Sequence, residues 1–179
     1  MDTKIVLLGG NSRENKDWIE RIARSLPFPT HTLNYEHWKN NAALINIDTE
    51  VARLQEVKPT VIFAKSAGIL VTLKGVHEKK ITPRYCIFAG VPLHWSRKNN
   101  FPLEDWLTGW NIPTTFIQNS HDPACSAEEL NKLLTDCKVK NAQIVVLRGE
   151  THDYAVEEIT REIKSIFLKV TLPVTFDRK

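Results

Sequence analysis

The sequence predicts an α/β fold, a three-layer sandwich with a mostly parallel six-stranded sheet and helices on both faces. Three observations carry this. Short β-branched runs alternate with longer amphipathic segments along the whole chain. Several of the short runs, such as Lys4–Leu8 and Val61–Phe63, are apolar throughout, as strands covered on both faces are. Between the run at Val61–Phe63 and the apolar segment Gly68–Leu73 lies Ala64-Lys-Ser-Ala-Gly68, a serine flanked two residues away on each side by a small residue. A turn from strand to helix that is this sharp brings its flanks together, so only small side chains fit there.

Taken in order, Lys4–Leu8 reads as the first strand. Gly9-Gly10-Asn11-Ser12 follows, then a helix from Asn15 to Ser25 with Trp18, Ile19, Ile22 and Ala23 on one face. The glycine pair has three readings: a phosphate cradle, a loop that binds an oxyanion, or a turn that needs glycine dihedrals. The dinucleotide fingerprint and the Walker lysine are both missing from it. Pro29–Leu33 is the second strand, and Tyr35–Trp38 with Lys39-Asn-Asn41 is expected as loop. Asp48 or Thr49 caps a helix ending at Val57, with Val51, Leu54 and Val57 facing inward. The third strand runs into the serine turn, Gly75–Thr82 is a polar connection, and Tyr85–Ala89 is the fourth strand.

Val91–Gly109 breaks the alternation. It holds Pro92, His94, Trp95, Pro102 and Trp106 with little clean periodicity, within what reads as a single 179-residue domain. Trp95, Phe101, Trp106, Leu107 and Trp110 either line an apolar pocket or cover the sheet. Thr114–Gln118 is the fifth strand, followed by Asn119-Ser-His-Asp-Pro123 and a helix from Ser126 to Leu134 with acidic residues in its first turn. Gln143–Leu147 is the sixth strand, followed by Gly149-Glu-Thr-His-Asp-Tyr154 and a last helix from Val156 to Leu168.

On the serine turn, the chain order of Ser66, Asp122 and His152 and the loops after the fifth and sixth strands, nearly the whole chain resembles the α/β-hydrolase superfamily, in particular its small members without a large cap. The first small residue is Ala64 where the family's usual turn has glycine. The resemblance implies strand order 2-1-3-4-5-6 and catalytic residues in the order serine, acid, histidine, each just past a strand. It also implies that residues 91–110 are a short lid or pocket insertion, too short for a large cap. Ser66, Asp122 and His152 stand at those places. In this reading His152 takes the serine proton, Asp122 orients the imidazole, and the N–H groups of Ala67 and of Gly10 or Asn11 form the oxyanion hole. Lys65, Trp95 and Trp106 are candidates for touching substrate. Each site residue also has a plain structural reading: a turn serine, a helix-flanking aspartate, a loop histidine.

Composition narrows the function classes. A hydrophobic content of 42% suits an ordinary globule, and a net charge of +3 with scattered basic residues does not suggest nucleic acid as partner. The three cysteines show neither metal-ligand spacing nor a disulfide framework. The N-terminal apolar run is too short for a signal peptide and no segment reaches membrane-spanning length, so the expected location is cytoplasmic. The expectation is a serine hydrolase of small esters, thioesters or amides, carboxylesterase-like, needing no cofactor or metal; the sequence leaves its oligomeric state open. Two other readings stand beside it: a non-catalytic small-molecule or peptide binder on the same fold, and a flavodoxin-like nucleotide binder using Gly9-Gly10.

Overall fold

The computed structural model describes residues 5–40 and 42–171. Six strands form one sheet in the order β2-β1-β3-β4-β5-β6, with β1 at Ile5–Leu8, β2 at Thr30–Thr32, β3 at Val61–Lys65, β4 at Tyr85–Ala89, β5 at Thr114–Asn119 and β6 at Ala142–Leu147. Every neighbouring pair is parallel. The fold is thus a three-layer α/β sandwich, with the strand order expected of a minimal α/β-hydrolase fold. Lys4 of the first predicted strand and the tail from Pro173 lie outside the described residues.

Strand residues alternate between two cores, as the period of two requires. Val6, Leu8, Ile62, Ala64, Cys86, Phe88 and Phe116 face one side. There they meet α3 (Ile47–Val57), α4 (Ala67–His77), α6 (Leu103–Leu107) and α7 (Ala127–Asp136). Ile5, Leu7, Val61, Phe63, Ile87, Ala89 and Ile117 face the other side, against α1 (Glu14–Ser25) and α8 (Val156–Thr171). Both faces of the four central strands, β1, β3, β4 and β5, are therefore buried, whereas the edge strands β2 and β6 are partly exposed.

Four local readings change. His37–Asn40 forms a short helix, α2, where a loop was expected; Tyr35 and Trp38, both buried, pack there with tilted rings 4.5 Å apart between centroids. The cap of α3 is Asn46, whose side chain accepts the Thr49 N–H at 3.0 Å, rather than Asp48 or Thr49. Helix α4 runs on through Gly75, where a polar connection was expected. A Cβ at Gly75 would come 3.1 Å from Ile81, so the glycine lets the following segment fold back on the helix. The irregular stretch after β4 contains two short helices, α5 (Leu93–Lys98) and α6, tied by an Arg97–Glu104 ion pair at 2.7 Å. Ser126 and Glu129 cap α7 reciprocally.

In a parallel sheet all strand C-termini open on one edge. The order reverses between β1 and β3, so the loops after these two strands diverge and leave a crevice.

Candidate active site

Ser66 occupies the turn from β3 to α4 with φ 51° and ψ −117°, a region that side-chain-bearing residues avoid. The turn is tight on its helix side. A Cβ at Gly68 would lie 2.7 Å from Cβ of Leu8 and 2.9 Å from the Gly9 carbonyl, and the Gly68 N–H donates to that same carbonyl at 3.1 Å. The close approach of α4 to β1 is the physical demand behind the small residue at 68. Ala64, fully buried, pairs in register with Leu8 of β1 and Phe88 of β4.

The structure brings Ser66, His152 and Asp122 together from three separate loops. Ser66 Oγ lies 2.9 Å from His152 Nε2. His152 Nδ1 lies 3.0 Å from Asp122 Oδ1 and 2.9 Å from Oδ2. A carboxylate accepts, so this pattern assigns the proton to Nδ1 and leaves Nε2 to accept the serine hydroxyl. Asp122 is 2% exposed and its carboxylate is fully engaged. Oδ2 accepts from Tyr154 Oη at 2.8 Å and from Gln118 Nε2 at 3.1 Å, and Oδ1 accepts the Ala124 N–H at 2.8 Å.

Several residues that sequence reading passes over hold this arrangement. Tyr154 accepts the Asn119 N–H at 3.1 Å while its own hydroxyl donates to Asp122. Burial, with Asp122 nearby, pushes its phenol well above the usual range, so it stays a donor. Gln118 spans three groups, donating to Asp122 and the Cys125 carbonyl and accepting the Val91 N–H. Asn119 pins the histidine loop by donating to the carbonyls of Thr151 at 2.9 Å and Asp153 at 3.2 Å. Gly90, at φ +65°, lies under the imidazole: a Cβ there would come 3.0 Å from His152 Cε1 and 2.8 Å from the Tyr154 ring. The glycine directly after a strand was a visible signal; the roles of Tyr154, Gln118 and Asn119 depend on contacts between distant loops and had none.

A cleft of about 680 Å³ opens over Ser66 and His152. Gly10 and Asn11 line it on the β1 side, and the Ala67 N–H opens α4 with no carbonyl one turn earlier to bond. Asn11 is itself immobilised: its side chain donates to the Ala43 carbonyl and accepts the Ile45 N–H, and its carbonyl accepts from His37 and Trp38. Gly10 makes room for Asn15, whose Oδ1 would sit 2.8 Å from a Cβ there. Lys65 and Trp95 both line the cleft. Trp106 does not: it lies over the Lys74 ammonium, 5.6 Å from ring centroid to nitrogen, because α6 packs on α4 beneath the sheet edge. Leu107 and Trp110 are core residues, Trp110 lying 5.8 Å from Phe88, so most of the aromatic stretch covers the sheet rather than lining a pocket.

The competing side chains lie elsewhere in role. His121 is exposed and meets Ser120 Oγ at 3.0 Å. His94 reaches the cleft but is held by Glu129 at 3.0 Å and the Pro123 carbonyl at 3.1 Å. Burial, reinforced by Glu129 and Asp122, pushes the Cys125 thiol up to about 12, which leaves no thiolate near neutral pH. Among the described residues no group of His, Cys, Asp or Glu is arranged to hold a metal, and no helix is long and apolar enough to cross a membrane.

Sheet order, turn and loop placement together define an α/β-hydrolase fold, and solved structures share it. Est1E from Butyrivibrio proteoclasticus, solved with ferulic acid bound, superposes with TM-score 0.70 at 13% identity, over 93% of this chain and 88% of that one. The esterase Pf2001 of Pyrococcus furiosus gives 0.68 at 18% identity, over 94% and 83%. The monoacylglycerol lipase of Paleococcus ferrophilus gives 0.57 at 14% identity, over 93% and 94%. No family model and no curated protein matches the chain.

Proposed function

We propose that this protein is a serine hydrolase that cleaves a small ester, thioester or amide through an acyl-enzyme, most simply a carboxylesterase. The observation that carries this reading is the continuous hydrogen-bonded chain from Ser66 Oγ through His152 to a buried Asp122. A hydroxyl is a weak nucleophile until a base takes its proton. Here His152 Nε2 receives that proton as Ser66 Oγ bonds to the substrate carbonyl carbon. Asp122 keeps the imidazole in the tautomer that can accept and stabilises the imidazolium that forms. The carbonyl oxygen, now negative, sits between the Ala67 N–H and an N–H of Gly10 or Asn11; losing one such donor typically costs ~3 kcal/mol of transition-state stabilisation. His152 then hands the proton to the leaving group, and water repeats the sequence on the acyl-enzyme.

The strained backbone at Ser66 supports the same reading, since strain of this kind persists where the surroundings enforce it and clusters at reactive sites. So does the presence of esterases and a lipase among the solved structures that share this fold. A single-domain protein acting in the cytoplasm on a small molecule, with no nucleic acid or membrane as partner, fits this chemistry.

The test is intact-mass spectrometry after treatment with a fluorophosphonate. One adduct on wild type, absent from Ser66→Ala, is the expected result. A folded wild type without adduct would refute the hydrolase reading and leave a binding protein on this fold.

A further inference from the structure

Of the charged cleft residues that the reaction above does not use, Glu14, Lys65, Lys98 and Asp153, only Lys65 is buried. It ends β3, directly before Ser66, and shares the sheet face of Val61 and Phe63 by strand alternation. This sends its side chain toward α1. The lysine is only 7% exposed, and its Nζ donates to Asn15 Oδ1 at 3.0 Å and lies 5.4 Å from the centre of the Trp18 ring. Both neighbours are fixed. Asn15 Nδ2 donates to the Ser12 carbonyl at 3.1 Å and Ser12 Oγ at 2.7 Å, which turns Oδ1 toward the lysine. Trp18 Nε1 donates to the Tyr154 carbonyl at 2.7 Å. The ammonium is therefore held in place rather than sweeping solvent.

What it lacks is a counter-charge in contact. Among the described residues no carboxylate lies within ion-pair distance of Lys65; Asp153 and Asp122 act on it only at longer range, and burial outweighs them to depress its basicity. An ammonium carries three donors, of which Asn15 takes one. Burying a cation without a paired anion is costly. The cleft wall also bears an exposed lysine, Lys98, and two exposed carboxylates, Glu14 and Asp153, whose charges water screens more than that of the buried Lys65.

Resting on the hydrolase reading, we infer that Lys65 is a specificity residue that seats a carboxylate of the substrate, so that the favoured substrates are esters or amides bearing a free carboxylate a short distance from the scissile bond. The carboxylate offers acceptors to the Nζ donors that Asn15 does not take and neutralises the buried charge on binding.

The experiment compares kcat/KM for matched pairs. One series carries the charge on the acyl side: mono-(4-nitrophenyl) esters of adipic, pimelic and suberic acids against their methyl diesters. The other carries it on the leaving group: 3-acetoxybenzoate against methyl 3-acetoxybenzoate. Wild type is expected to prefer the carboxylate in at least one series by about tenfold to a hundredfold, the range for a hydrogen bond to a charged group. In Lys65→Met that ratio falls to about one, and Lys65→Gln, which keeps a donor without the charge, recovers little of it. A wild-type ratio of one or less in both series, with the neutral esters turned over, would overturn the inference, and this needs no variant. So would a preference that survives in a folded Lys65→Met. If no ester is cleaved and the fluorophosphonate leaves Ser66 unlabelled, the hydrolase reading has failed separately. Calorimetric titration of monomethyl adipate into Ser66→Ala then decides the carboxylate seat: binding lost on adding Lys65→Met supports it, and absence of binding refutes it.

Discussion

The hydroxyl of Tyr154 donates to Oδ2 of Asp122 at 2.8 Å, two residues along the chain from the histidine that the same carboxylate holds. One short segment thus supplies both the imidazole and a clamp on its partner. Tyr154→Phe removes the clamp and leaves the buried Asn119 N–H without its acceptor. Urea unfolding should show a loss of about 1–3 kcal/mol. A loss below about half a kcal/mol would mean that the hydroxyl contributes nothing beyond ring packing.

Asp122→Asn keeps the shape of the site but lets an amide N–H face the imidazole, favouring the tautomer that cannot accept from Ser66. Fluorophosphonate labelling should slow by about three to four orders of magnitude, as loss of the acid does in serine proteases, with the far-UV spectrum unchanged. Labelling within tenfold of wild type would show that Asp122 is structural.

Gly90→Ala tests the floor under His152. The φ of +65° disfavours any side chain, and the new methyl would press on Tyr154 and the imidazole at once. The backbone penalty alone is about 1–2 kcal/mol, and labelling of Ser66 should fall with it because the ring is displaced. A variant of wild-type stability and labelling rate would show that the loop yields freely.

Strain at Ser66 can be read by comparing two substitutions that both remove the hydroxyl. Alanine keeps the penalty of φ 51°, whereas glycine relieves it. In an ordinary position glycine is the less stable of the two by about 0.5–1 kcal/mol. Here Ser66→Gly should be at least as stable as Ser66→Ala in thermal melts, and the reverse order would mean that the turn is unstrained.

All three cysteines are buried, and Cys125 is held protonated to about pH 12 by burial, against about 8.5 for a free thiol. Iodoacetamide at pH 8 should leave the folded protein unmodified and alkylate all three residues in urea. Because the unfolded thiol ionises first, Cys125 costs stability as pH rises above about 8.5. Rapid native alkylation of Cys125 would reopen it as a nucleophile.

Much of the architecture was legible in the chain because it is written in local, repeating terms. Apolar runs such as Val61–Phe63 need no partner identified to be read as doubly covered strands, and Gly68 and Gly90 mark places where backbone or ring comes too close for a side chain. The positions of Ser66, Asp122 and His152 after the third, fifth and sixth strands were legible for the same reason: a parallel sheet sends every strand end to one edge. The aromatic stretch after β4 was not. Trp95 and Trp106 look alike in sequence, and only the packing of α6 on α4 turns one to the cleft and the other onto Lys74.

The sequence by itself determined the order of the six strands, the long helices between them and the loops from which a site must be built, because hydrophobic period and turn chemistry act over a few residues. Only the tertiary structure decided that His152 meets Asp122 rather than its neighbour Asp153, that Tyr154, Gln118 and Asn119 brace that pair, and that Lys65 lies buried between Asn15 and Trp18 with no carboxylate in contact among the described residues. Those outcomes depend on distances between segments tens of residues apart, which are set by how the layers pack and leave no local trace in the chain.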